Sequence, residues 1–524
     1  MNTSLQRPSW GPWQFGVFAL IQVAVMLLAI SHQSLWIDEF WTAHFAALPS
    51  FKAFIDLLLV PSGSQTPLHF VHFYLWEQVV PAGEFLFRLA NLPFFVAGQL
   101  AVFWALRDYP RTFACLFLAL NAIHPMVWQY ADEARPYIMM VAGSQMILAY
   151  LLNLHARVAS GLPAEPLFLL LFVVGSILLF GASMLGIFWV FVASVYVLVH
   201  HLRQSKLREL TQGFQPWLIG FLAAALAVLT AYYLNSLIKG AGASRLDSST
   251  PATVLFAAYE MLGLAGLGPS RLELRESGMA ALGGHLPALL AASLVLTFIL
   301  IVGLKAAHAR LGTRRLLWIS ALGLFPVLFV LFSGFVMHWR VLGRHLMAAL
   351  PLLNLVMALG MARLVERPGG RPWRRWVAVS GLLLLLGSSL SLRFGEHHRK
   401  DDYRSAASIA QQALAQGKRV WWAADAIGAD YYKLPGQFDV IGELTGVHQP
   451  LLCSDQVGVH SLANAPDSCL RQLSKPDLVI LSKPDGYDIG GSITAYLKAN
   501  GFVVTQRLPA FAIWQAPASQ QPRP

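Results

Sequence analysis

The residues that could do chemistry in this chain stand at the ends of its apolar runs. Asp38 and Glu39 lie in SLWIDEFWTAHF (34–45), just after the run WGPWQFGVFALIQVAVMLLAI. Asp132, Glu133 and Arg135 lie in DEARPY (132–137), and Arg340, Arg344 and His345 in HWRVLGRH (338–345). His69 and His72 share a helix face in TPLHFVHFYLWEQVV (66–80). A placed carboxylate can take a proton from a hydroxyl, and grouped arginines can hold a phosphate. Each element also has a plainer use. Asp38 and Glu39 suit the first turn of an interfacial helix, where negative charge meets the positive end of the dipole. Trp36 and Trp41 suit an aromatic belt, and Arg340 and Arg344, one turn apart, suit snorkelling to lipid headgroups. His69 and His72 could join Glu39 or His44 at a metal, but no tight ligand spacing supports such a site.

The elements that must position these groups are membrane helices. The chain has 524 residues, 56% hydrophobic and 12% charged, against roughly 25% charged in soluble proteins. No A-x-A cleavage site follows the first run, which reads as a retained helix. The net charge of +11 is spread among short loops between apolar runs, a positive-inside pattern and no binding face for nucleic acid.

A span needs about 20 apolar residues, and the runs 11–31, 85–106, 112–130, 136–154, 165–181, 184–202, 216–236, 286–305, 316–336, 345–363 and 376–392 qualify as candidates. With Arg7 cytoplasmic and 66–80 lying at the interface or re-entrant, the basic loops 107–111, 155–157, 203–208, 305–315 and 362–375 all fall inside. Loops 32–84, 131–137, 237–285 and 338–345 then fall outside, with all the polar exceptions above; Lys239 and Arg245 of the long loop read as solvated or headgroup contacts. The expected fold is a polytopic α-helical membrane domain of about eleven spans (1–394) and a small extracytoplasmic α/β domain (395–524). In that domain KDDYRSAASIAQQALAQ reads as a helix, and RVWWAAD, PDLVILS and GFVVTQRLPAFAIWQ as strands. Cys115, inside an apolar run, reads as a packing residue, and Cys453 and Cys469 as a disulfide if they face an oxidising compartment.

Taken in order, several of these segments resemble the GT-C glycosyltransferases, in particular the polyprenyl-phosphate-dependent group around protein mannosyltransferases and lipid A aminoarabinose transferases. The Asp-Glu after the first span, QTPLHFVHFYLW, EFLFRLANLPFFVAGQL with Arg88-Leu89, YADEARPYIMM and GRHLMAALPLL carry the resemblance. Thr66 stands where the family has a proline, and His345 where it has tyrosine. DDYR (401–404) is similar to the start of C-terminal domains in the group.

The resemblance implies a sugar donor on a polyprenyl phosphate and a lipid, polysaccharide or protein acceptor at the periplasmic face of an inner membrane. It implies Asp38 as general base, with Glu39, Glu133 and Asp132 as the accompanying carboxylates. Arg344, with Arg340, His345 and His69, would bind the donor phosphate, while Arg135, Tyr137 and Arg88 would orient substrate. No cofactor or metal is expected. A transporter or flippase of lipid-linked sugars is the rival expectation, but it wants charge at the bilayer midplane, and here the charges gather at one face.

Overall fold

The computed structural model describes residues 11–60, 66–159, 165–203, 213–238, 249–366, 371–445, 449–450 and 453–517. Arg7, Lys239, Arg245 and most of the basic loop 203–208 lie outside the described residues. The chain divides into two compact units.

The first unit comprises 1–31, 63–72 and 88–398. Among the described residues eight helices are long and apolar enough to cross a membrane: Glu84–Asp108, Tyr137–Arg157, Gly186–Arg203, Gln215–Ile238, Arg271–Ala309, Leu311–Val336, Gly343–Glu366 and Trp373–Phe394. Arg111–Ile123 and Pro125–Ala131, bent by 44° at His124, make a ninth if they form one span. The shorter apolar helices Trp13–Ala29 and Pro166–Ala182 coincide with two more of the expected runs. The helix expected over 66–80 is Pro67–Glu77 and is not among these candidate spans.

Small residues let the helices approach. A Cβ on Gly143 would meet the carbonyl oxygen of Gly175 at 2.6 Å, and one on Gly175 would meet that of Gly143 at 2.6 Å. Backbones in such contact replace the hydrophobic drive that lipid cannot supply. Cys115, expected to pack, is instead exposed on Arg111–Ile123, because that helix buries Ala114, Phe117 and Leu118 and turns the adjacent position outward.

The second unit comprises 32–62, 73–87 and 399–524. Its sheet, built from β1 (Val420–Ala423), β2 (Val459–Ser461), β3 (Leu478–Ser482), β4 (Val503–Leu508) and β5 (Phe511–Gln515), has the order β2-β1-β3-β5-β4. β2, β1 and β3 are parallel, and β5 joins β3 and β4 antiparallel. β1 and β3 are buried at every position, which is why VWWA and LVILS are continuous apolar runs. One face packs Trp421, Val479 and Leu481 with Ile493 and Leu497 of the helix Ser492–Ala499. The other places Trp422 and Phe511 beside Tyr403, at the start of the helix Tyr403–Ala415. Cys453 and Cys469 are joined in a disulfide.

Candidate functional site

Within the first unit, the turn that carries DEARPY is held by a buried brace. Asp132 accepts hydrogen bonds from the Ser31 amide at 2.5 Å and the Ser31 hydroxyl at 2.8 Å. Arg88, whose side chain is wholly buried, donates to the Ser31 carbonyl at 3.2 Å, and its Nε lies 3.9 Å from Asp132. Asn91 donates to the carbonyls of Ala131 and Glu133 at 3.3 and 2.7 Å. Two buried charges that neutralise each other and satisfy a helix end are a structural arrangement. Arg88 and Asp132 thus tie the end of the first apolar helix to the turn, and they place Glu133.

Glu133 points into a second cluster. Arg271 lies 3.6 Å from Glu133 and 3.2 Å from Glu260, and it donates to the Tyr130 hydroxyl at 2.7 Å. With its amide turned so that oxygen faces the guanidinium, Gln129 accepts from Arg271 at 2.7 and 3.2 Å. The Glu133 and Glu260 side chains are only 3% and 2% exposed, whereas that of Arg271 is 40% exposed. The second oxygen of Glu260 accepts the Gly343 amide at 3.0 Å. A Cβ at Gly343 would come within 2.6 Å of that carboxylate, so glycine is required for the approach. The next residue, Arg344, sits over the Tyr137 ring at 5.9 Å, and Tyr137 packs edge-on to Tyr130 at 4.6 Å. Segments distant in sequence therefore meet in one polar cluster among apolar helices.

Several other predicted residues lie near the same turns. His69 is buried; burial first, then the Arg135 cation, holds its imidazole well below its ordinary pKa, and it donates to the Ala134 carbonyl. A neutral His69 offers a hydrogen bond and no charge. His345 uses Nδ1 to accept the Leu342 amide at 3.0 Å, stabilising its own turn. Arg340 stands exposed, four residues before Arg344. Arg271 and Glu260 were not singled out from sequence. Their only advance signal is that RLELRE and YEM place ionisable residues in a loop already expected beside the other charges. Among the described residues, no three His, Cys, Asp or Glu side chains gather so as to hold a metal ion.

Asp38 and Glu39 belong to the second unit, in the first turn of the helix Ile37–Ala46. Asp38 is half-buried. Glu39 is fully buried; its Oε2 accepts the Trp36 amide at 3.3 Å and lies 3.7 Å from the Lys400 ammonium. Phe40 of the same helix packs edge-on to Tyr403 at 4.9 Å and lies against Gly428, where a Cβ would meet its ring at 2.7 Å.

The chain is a polytopic α-helical membrane protein whose second unit is a small α/β fold. No family profile matches it, and no curated protein matches it in sequence. Among solved structures it is similar to ArnT from Cupriavidus metallidurans bound to undecaprenyl phosphate, at 13% identity and a TM-score of 0.47, over 97% of this chain and 99% of that one. It is also similar to the mycobacterial arabinofuranosyltransferase AftD, at 14% identity and 0.43, over 98% of this chain and 42% of that one. A third is the oligosaccharyltransferase of Archaeoglobus fulgidus, at 12% identity and 0.44, over 92% and 70%.

Proposed function

We propose that this protein is a GT-C-type membrane glycosyltransferase that moves a sugar from a polyprenyl-phosphate donor to an acceptor hydroxyl at the periplasmic face of an inner membrane. The observation that carries the reading is the assembly of Glu133, Glu260, Arg271 and Arg344, with Tyr130 and Tyr137, from segments far apart in sequence. Ionisable groups gathered among membrane helices are expensive and mark sites for charged substrates. Two buried carboxylates share the half-exposed Arg271, and Arg344 lies on an aromatic face. That suits an anion attached to an apolar body.

In the reaction, Asp38 takes the proton of the acceptor hydroxyl as its oxygen attacks the anomeric carbon. The bond from that carbon to the lipid-phosphate oxygen breaks, and its electron pair leaves on the phosphate. Attack opposite the leaving group inverts the anomeric centre. A phosphate leaving group needs charge stabilisation more than protonation, and Arg344 supplies it, with Arg340 and His345 as helpers. His69, neutral, keeps its one N–H on the Ala134 carbonyl and offers the other ring nitrogen as an acceptor. Arg135 and Tyr137 orient the sugar. Arg88 and Asp132 hold the turn that carries Glu133.

The test is transfer from a radiolabelled polyprenyl-phosphate-sugar pool by purified wild type, Asp38→Asn and Arg344→Ala. Asp38→Asn is expected to lower turnover by about 100-fold or more while retaining donor, and Arg344→Ala to weaken donor binding. Equal transfer by all three would overturn the proposal.

A further inference from the structure

The segment Arg399–Arg404, RKDDYR, joins the α/β body of the second unit to the loop that carries Asp38. Facing that loop, the Lys400 amide donates to the Gln33 side chain at 2.8 Å, and its ammonium lies 3.7 Å from buried Glu39. Tyr403 packs on Phe40. The Arg404 amide donates to the Ser34 hydroxyl at 3.2 Å, its guanidinium donates to the His32 carbonyl at 2.6 Å, and it lies 3.6 Å from Glu84. Facing the sheet, Asp401 pairs with Lys483 at the end of β3. The Asp402 amide donates to the Pro509 carbonyl at 3.0 Å, and its side chain caps the helix Tyr403–Ala415. Lys483 holds a left-handed backbone conformation, φ 33°, that a non-glycine residue adopts only when its surroundings enforce it. Lys400 is thus delivered to Glu39 from a segment pinned on its opposite side to the sheet.

We infer that Lys400 is a positioning residue for the reaction: by neutralising Glu39 it fixes the first turn of Ile37–Ala46 and lets Asp38 act beside a compensated carboxylate instead of a second bare negative charge. The physical basis is the cost of a lone buried carboxylate and the repulsion between neighbouring ones. Glu39 follows Asp38 directly in the chain and its side chain is 0% exposed, so water does not screen it. The Lys400 side chain is 15% exposed and stands beside the carboxylate. The segment Arg399–Arg404 thereby takes part in the reaction without touching substrate. The inference rests on Asp38 as base, and the experiment separates the two.

The measurement is kcat and KM against pH with the same labelled donor pool, for wild type, Asp38→Asn, Lys400→Met, Lys400→Arg and the double variant Glu39→Gln/Lys400→Met. Lys400→Met is expected to lower kcat about 10-fold with donor KM little changed, and to move the acid limb up by about one pH unit, because uncompensated Glu39 makes Asp38 harder to ionise. Lys400→Arg is expected to restore both. The double variant is expected to return the limb to its wild-type position, since removing both charges leaves nothing uncompensated. Wild-type kcat and pH profile in Lys400→Met, with Asp38→Asn inactive, overturn the inference and leave the base standing. An active Asp38→Asn overturns the base itself. Should Lys400→Met not fold, recovery of folding by the added Glu39→Gln supports compensation, and failure to recover overturns it.

Discussion

Arg271 shows how one side chain sets the chemistry of its neighbours. It is the cation shared by Glu133 and Glu260, and it also binds the Tyr130 hydroxyl. Replacing it with methionine takes away the cation that these two buried carboxylates share. Arg271→Met is expected to destabilise the protein by about 3 kcal/mol, read as thermal unfolding in detergent. Adding Glu260→Gln should recover part of that loss. Arg271→Lys should recover less than full stability, because one ammonium cannot reproduce the guanidinium fork that reaches several partners at once. A variant Arg271→Met as stable as wild type would show that the cluster needs no cation there. Asp38, Glu133 and Arg344 were legible as candidates because charge at the end of an apolar run is costly. Arg271 was not, because one arginine in a long polar loop looks like any solvated arginine until its partners are known.

Among the elements, the parallel strands of the second unit place a second buried titratable group at their ends. Asp425 follows β1 and caps the helix Ala426–Tyr431, accepting the Gly428 amide at 2.7 Å. It is fully buried. Burial first, then the Glu443 carboxylate beside it, pushes its pKa well above the usual carboxylate range, against the pull of the Gly428 amide and Lys483. The folded state therefore holds a proton that the unfolded chain releases near about pH 4. Above that pH the folded state binds more protons, so stability falls as pH rises, at about 1.4 kcal/mol per pH unit until the raised value is passed. Asp425→Asn keeps the cap and removes the titration. It is expected to raise the melting temperature at neutral pH and to differ little from wild type near pH 4. A variant less stable than wild type at neutral pH would contradict this. The helix Tyr403–Ala415 and the strands at VWWA, LVILS and the last hairpin were readable from their patterns. The three-residue β2, VHS, was not, since so short a strand exists only through its pairing with β1.

For the whole molecule, the distribution of basic loops makes a claim about sidedness that a reporter can test. Alkaline phosphatase fused after residue 524 should be active, and fused after the 203–208 loop it should be inactive, because lysine and arginine in short loops stay in the cytoplasm. The reverse pattern would place Asp38 and Arg344 on the cytoplasmic side and remove the lipid-phosphate reading with them. By itself the sequence determined the membrane class, the positions of the apolar helices and which charges were out of place. Those follow from length, hydropathy and the energy of charge in lipid, all of which are local. Only the tertiary structure decided which charges neutralise which. It turned Arg88 and Asp132 into a brace, made Arg271 the shared partner of Glu133 and Glu260, and set Lys400 against Glu39. Ion pairs between residues tens to hundreds of positions apart leave no periodicity to read, because their geometry exists only once the chain has packed.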